Sequence, residues 1–275
     1  MSLGGGKKFN LPEEFLFSKG FLVDDYSLMM SPSIAESESD MRDVFFGMMA
    51  ANSAQSAIQD NLAKTLYLGP FRMPPERKYA SRGASPKEVG SMGESTITML
   101  ANESVQSRSR PHIDQITKWL KTLGLGQSVD IGRIGSSDLF KVEVTLEDSK
   151  KFPLADLGYG VSQVLPVLTQ CSFAPKGSTL LFEQPELHVH PKAARNLADV
   201  FIDTARNKDS HICLETHSPD LINGLFQKIK NGDIHCEDVA IYRVSRSEGE
   251  TKFDTIEIDE HGDNDGTWRK ELMPS

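Results

Sequence analysis

The stretch TLLFEQPELHVHPK, residues 179–192, runs from an apolar segment into acid, amide, proline, acid and two histidines. Leu180, Leu181 and Phe182 form a short apolar run bounded by polar residues, the pattern of a buried strand. Glu183 then stands at the strand end, where a carboxylate is costly to bury unless a cation or donors lie beside it. Downstream, PKAARNLADVFIDTARN (191–207) predicts a helix with Pro191 near its first turn. HICLET (211–216) predicts a second strand, and SPDLINGLFQKIKNG (218–232) a second helix. Strands and helices alternating at these lengths pair in parallel through crossovers. Ligands of open α/β sheets bind beyond the carboxyl ends of the strands, so Glu183, Gln184 and His217 are expected to share one crevice.

The preceding sequence is more mixed. Residues 40–64 predict a helix capped by Ser39 or Asp40, with Val44, Phe45, Met48, Met49, Ile58 and Leu62 near helical spacing. TLYLGP (65–70) reads as a short strand entering a loop, and HIDQITKWLKTLGLG (112–126) as an amphipathic helix closed by Gly124 or Gly126. In DLFKVEVTLED, Phe140, Val142, Val144 and Leu146 alternate with Lys141, Glu143, Thr145 and Glu147, the period of a half-buried strand. VSQVLPVLTQ (161–170) predicts a helix despite Pro166, and DVAIYRVSR (238–246) with KFDTIEID (252–259) an edge hairpin. The expected organisation is a leader or linker at 1–6, a helical and loop-rich region at 7–128, and an α/β lobe at 129–275.

Composition narrows the partners. A formal charge of -9 argues against a surface that is basic throughout, so any nucleic-acid contact has to be local. FRMPPERKYASRGASPK (71–87) is the basic segment, with Arg72, Arg77, Lys78, Arg82 and Lys87 against Glu76, and its proline-rich composition reads first as a solvated loop. Cys171, Cys213 and Cys236 have no metal-like spacing, and the apolar settings of Cys171 and Cys213 suggest reduced, buried thiols in a cytoplasmic protein. Nothing approaches the roughly 18 consecutive apolar residues of a membrane span.

Three segments in order then carry a family resemblance. LLFEQPELHVHP (180–191) resembles the Walker B strand and following loop of ABC-type ATPases, in the branch containing RecF, the SMC heads and OLD-type AAA ATPases. LADLGYGVSQVLPVL (154–168) resembles that branch's signature segment, and ETHSPDLI (215–222) its histidine-switch strand. YLGPFRMPPER (67–77) resembles one bacterial subfamily of ATP-binding proteins. The implied fold is P-loop NTPase-like: a mostly parallel sheet with flanking helices and a helical/β insert region.

The resemblance also implies roles. Glu183 occupies the position of the acid that holds Mg²⁺, usually through water. Gln184 occupies the general-base position; an amide cannot take a proton as a carboxylate does but can orient an attacking water, and Glu186 is the alternative base. His217 matches the switch histidine that senses the terminal phosphate. Gly158, Gly160, Ser162 and Gln163 belong to the signature segment, which in the family contacts ATP held by the other protomer of a dimer. DNA or a co-encoded effector protein are the other partners it implies. The sequence departs from the pattern at Gly158, where the signature serine would fall, and it contains no GxxxxGK[ST] loop. It is therefore expected to be the C-terminal portion of a longer ATPase, lacking the Walker A lobe.

Two other readings stand beside the ATPase head that dimerises around ATP-Mg and hydrolyses it slowly. One is an ATPase-like interaction module that binds no nucleotide. The other is a metal-dependent hydrolase using His188 and His190, since HxH puts two imidazoles on one side of an extended chain. DEHGDNDG (259–266) fails the calcium-loop ligand spacing and reads as a solvated turn.

Overall fold

A computed structural model of the chain describes residues 38–80, 86–106, 109–247, 249–259 and 261–262. MSLGGG, the segment 7–37, Arg82 and most of DEHGDNDG lie outside them. The chain divides into two compact units, Met1–Ala63 and Lys64–Ser275. In the first, helix α1 (Glu38–Leu62) carries exposed Phe46, Met49, Ile58 and Leu62.

The second unit is built on a parallel sheet of β1 (Thr65–Leu68), β6 (Thr179–Glu183) and β7 (His211–Glu215), in the order β1-β6-β7. Register places Leu66, Leu180 and Ile212 in one row and Leu68, Phe182 and Leu214 in the next, and both rows belong to the main apolar core. The intervening row points the other way: Tyr67 is exposed, Leu181 half-buried and Cys213 exposed. Parallel sheets are ordinarily covered on both faces, so a sheet with one open face is unusual. Among the described residues β7 pairs only with β6. The expectation that Cys213 is buried fails for this reason; Cys171 is fully buried as expected.

Between β1 and β6 the chain builds an antiparallel sheet. Strands β2 (Tyr79–Ala80), β3 (Ser128–Arg133), β4 (Leu139–Thr145) and β5 (Lys151–Pro153) are arranged β2-β4-β3, with β5 on β4. The alternation read in β4 is realised, since Phe140, Val142 and Val144 are buried while Lys141 is exposed. Helices α2 (Thr96–Gln106) and α3 (Pro111–Leu123) contact β3. Helix α2 was not expected, because its opening Thr96, Ile97 and Thr98 are β-branched and favour strands. Glu103 of α2 supplies the cap that α3 lacks in sequence, accepting the N–H groups of His112 (3.2 Å) and Ile113 (2.9 Å). Gly124 ends α3 in the left-handed region (φ 69°), as its position predicts.

Helix α4 (Tyr159–Phe173) is buried at every residue from Val161 to Ser172 and forms the centre of the unit. Helix α5 (Pro191–Lys208) joins β6 to β7, and Phe201 packs its ring 5.6 Å from that of Phe182. Asp203 of α5 accepts hydrogen bonds from Trp119 Nε1 (3.0 Å) and Gln115 Nε2 (2.9 Å), tying α5 to α3. Helix α6 (Pro219–Lys230) lies against α5, where Arg195 pairs with Asp220 at 2.6 Å and Lys228 pairs with Asp199. The terminal strands β8 (Ile241–Ser247) and β9 (Glu250–Ile256) form a sheet of their own instead of extending the edge of the parallel one. Ile241, Ile256 and Ile258 pack on Ile222 and Phe226, so the hairpin answers to α6.

Two outcomes test this packing. A Cβ on Gly224 would lie 2.2 Å from the Arg195 carbonyl oxygen. Gly224→Ala is therefore expected to lower stability by about 1–3 kcal/mol despite the helix propensity of alanine, seen as a lower denaturant midpoint at unchanged slope. Burial pushes the Cys171 thiol up to about 12, so at pH 8 a thiol reagent should modify exposed Cys213 in the folded protein and reach Cys171 only on unfolding.

Candidate active site

The parallel ladder places Glu183 directly beside Glu215, one on each of two adjacent strand ends. The next N–H, that of Gln184, donates to the Glu215 carbonyl at 2.8 Å. Gln184 then leaves the extended conformation with φ 44°, a left-handed value uncommon for a residue with a side chain. Tyr67, on the neighbouring strand, donates its hydroxyl to Glu183 Oε1 at 2.7 Å. That hydrogen bond, with desolvation and the charges of Glu183 and Glu215, pushes the phenol above its ordinary range. The half-buried Glu183 thus has one carboxylate oxygen engaged by a neutral donor.

Beneath this strand end lies Arg72, 6% exposed. Its Nη2 donates to the carbonyl oxygens of Glu183 (3.0 Å) and Gln184 (3.1 Å). Nε and Nη1 are buried without a hydrogen-bond partner. Burial pushes the guanidinium down to about 10, opposed by the charge of Glu186. The segment read as a solvated basic loop is therefore partly structural. Arg77 stays exposed but makes a bidentate contact with Asp156, at 2.9 Å and 2.5 Å, shortly before the helix at 159–173.

Glu186 links the strand-end loop to the histidine strand. Its Oε1 accepts the Thr216 hydroxyl at 2.6 Å, while Oε2 is buried and unpartnered. Thr216 Oγ1 in turn accepts the Ser218 N–H at 3.0 Å, and Ser218 caps α6 by accepting the Leu221 N–H at 3.3 Å. His217 stands exposed between Thr216 and this cap.

The signature segment joins the same surface. Gly158 is the N-cap of α4, exposed, with nothing within 4 Å of a Cβ placed on it. A Cβ on Gly160 would meet the His188 carbonyl at 3.0 Å, and the Tyr159 and His188 rings meet edge to face at 5.8 Å. Ser162 and Gln163 are buried, and the Ser162 hydroxyl donates to the Tyr159 carbonyl at 2.8 Å. Gly158 and Tyr159 are therefore the residues at the start of this helix that face solvent.

The two histidines of HVH take local tasks. His188 holds a left-handed backbone (φ 64°), and His190 Nδ1 accepts the Lys192 N–H at 3.2 Å as the cap of α5. Among the described residues no three His, Cys, Asp or Glu side chains gather into a metal-binding group, so the pair has no further ligands assembled around it.

The family described as "AAA domain, putative AbiEii toxin, Type IV TA system" matches residues 34–223, more than half of the sequence. The chain belongs to this AAA domain family. No curated protein matches it. Among solved structures, this AAA domain is similar to a chain from a study of ATP-driven dimerisation and DNA-stimulated activation of SMC ATPases, at 14% identity and a TM-score of 0.41, covering 54% of this chain and 84% of that one. It is also similar to an Smc head bound to the C-terminal winged-helix domain of ScpA (10% identity, TM-score 0.42, 66% and 53% covered). An SMC head from Thermotoga maritima gives 8% identity and a TM-score of 0.40, with 64% and 59% covered. The chain spans only 53% and 59% of the latter two heads.

In the AAA domain the structure brings Glu183, Gln184, Glu186 and the strand before His217 together, with the signature helix beside His188. Sequence reasoning missed Arg72, Tyr67 and Thr216. The signal for Arg72 was available in YLGPFR, because an arginine one short loop after an apolar strand stands at the same sheet end as Glu183. Gly158→Ser is expected to change stability by no more than about 0.5 kcal/mol, since serine caps helices at least as well as glycine and the site is open, as a thermal melt of both proteins would register.

Proposed function

We propose that this AAA domain is the magnesium and water side of an ATPase head, a lobe that closes on ATP with a second copy and reopens after slow hydrolysis. The observation that carries the reading is the adjacency of Glu183 and Glu215 at one sheet end, with Gln184 on the turn that follows Glu183 and its N–H held by the Glu215 carbonyl. Two carboxylates side by side favour a cation, and a half-buried Glu183 with a single neutral donor is suited to hold water or a hydrated Mg²⁺. Bound Mg²⁺ with ATP supplies neutralisation of the charge that develops on the transferred phosphoryl group.

In this reading Gln184 orients the attacking water through its amide, and its lack of a proton-accepting carboxylate makes turnover slow. Glu186 is the alternative base, His217 contacts the terminal phosphate, and Gly158 presents the start of α4 to phosphate through backbone N–H groups. Ser162 and Gln163 support that helix from within, consistent with their burial. In this reading the loop that grips the phosphates comes from another segment, and among the described residues the one-sided pairing of β7 and the exposure of Tyr67 and Cys213 support a place for it. A homodimer, DNA or a co-encoded effector as partners follow from the motif resemblance, and a cytoplasmic location from cysteines without disulfide spacing. No described helix is long and apolar enough to cross a membrane.

The absence of GxxxxGK[ST] favours one competing reading, an interaction module without nucleotide. Reading the coding sequence upstream separates them: a GxxxxGK[ST] motif between a strand and a helix is expected, and its absence there and in the adjoining gene would sink the ATPase reading. With that lobe present, Gln184→Glu should raise ATP turnover about tenfold or more. An unchanged rate would remove Gln184 from the attacking water.

A further inference from the structure

We infer that Arg72 is a positioning residue for Gln184: by holding the carbonyls of Glu183 and Gln184 it fixes the turn from which the Gln184 amide reaches the attacking water. This rests on the ATPase reading above. Gln184 sits at φ 44° with Pro185 after it, although a residue before proline favours extended backbone. Such conformations are costly and persist only where the surroundings over-determine them. The backbone of Gln184 is tied on both sides, and besides the local Leu187 N–H on its carbonyl (3.1 Å) two of the ties are long-range. Its N–H is held by the Glu215 carbonyl at 2.8 Å, and its carbonyl by Arg72 at 3.1 Å.

The second tie comes from far away in sequence and at a cost. Arg72 follows the edge strand β1, whereas the first tie comes from β7 on the opposite side of β6. The turn is thus pinned from both flanking strands. Removing Arg72 takes a donor from both carbonyls and leaves that of Gln184 held only by the local Leu187 N–H. A buried guanidinium with Nε and Nη1 unpartnered is an expensive way to satisfy two carbonyls, which a neutral amide could do. What the arginine adds is a rigid planar donor shared by two consecutive carbonyls, and therefore the angle between them. It also stands in the field of Glu186, so it keeps its charge in place beside the same turn.

The test is a double-mutant cycle in the full-length gene product, with steady-state ATP hydrolysis as the measurement. Arg72→Lys keeps the charge but replaces the planar Nη2 group that both carbonyls share, and should lower kcat about 10- to 100-fold. KM for ATP should stay within about twofold, because the nucleotide is not touched. In a Gln184→Ala background the same substitution should cost little further. An equal fall in both backgrounds, a change in KM alone, or no change in kcat overturns the positioning role while leaving the ATPase reading intact. No turnover by the unsubstituted protein overturns both. If Arg72→Lys does not fold, judged by its thermal melt, Arg72→Gln takes its place in the cycle; if neither folds, Arg72 is purely structural and the proposal falls.

Discussion

Register in the β6–β7 ladder obliges Glu183 and Glu215 to end side by side. Like charges directly opposite one another repel, and much of the local architecture relieves that repulsion. Tyr67 reaches across from β1 to hydrogen-bond Glu183, and Glu215 stays exposed, where water screens it. Arg72 places positive charge under the adjoining peptide groups, not against the carboxylates themselves.

The same strand ends organise the polar network. Glu186, Thr216 and Ser218 form a chain of hydrogen bonds that ends on the cap of α6, so a shift of the strand-end loop is passed to the helix after His217. On the other side Gly160 lets α4 approach the His188 carbonyl closely. Loop, histidine strand and signature helix therefore share a boundary, and none of the three can be displaced far without strain in the next. The unpartnered Oε2 of Glu186 and the unpartnered nitrogens of Arg72 mark where that boundary is least satisfied.

Much of this architecture was legible in the sequence, where chemistry and local geometry agree. The strand at 179–183, the proline-opened helices at 191 and 219, and the glycine stop at 124 follow from patterns that act over a few residues. Helix α2 was not legible because its β-branched start points the other way and tertiary packing of Met99 and Leu100 overrides it. The exposure of Cys213 depends on which layers cover the sheet, a property no stretch of HICLET encodes. Arg72 was read as solvated because an arginine among prolines usually is; its burial depends on carbonyl groups more than a hundred residues away.

The open row formed by Tyr67, Leu181 and Cys213 carries a thermodynamic consequence. A layer that seals it binds the folded sheet and not the unfolded chain, so it adds to stability according to its local concentration. Carried on the same polypeptide, that layer acts at a high effective concentration fixed by its tether. Carried on another, it makes the melting temperature depend on how much of the other protein is present. The exposed part of the sheet face thus ties the stability of this domain to its covering layer, through the tether in the first case and through abundance in the second.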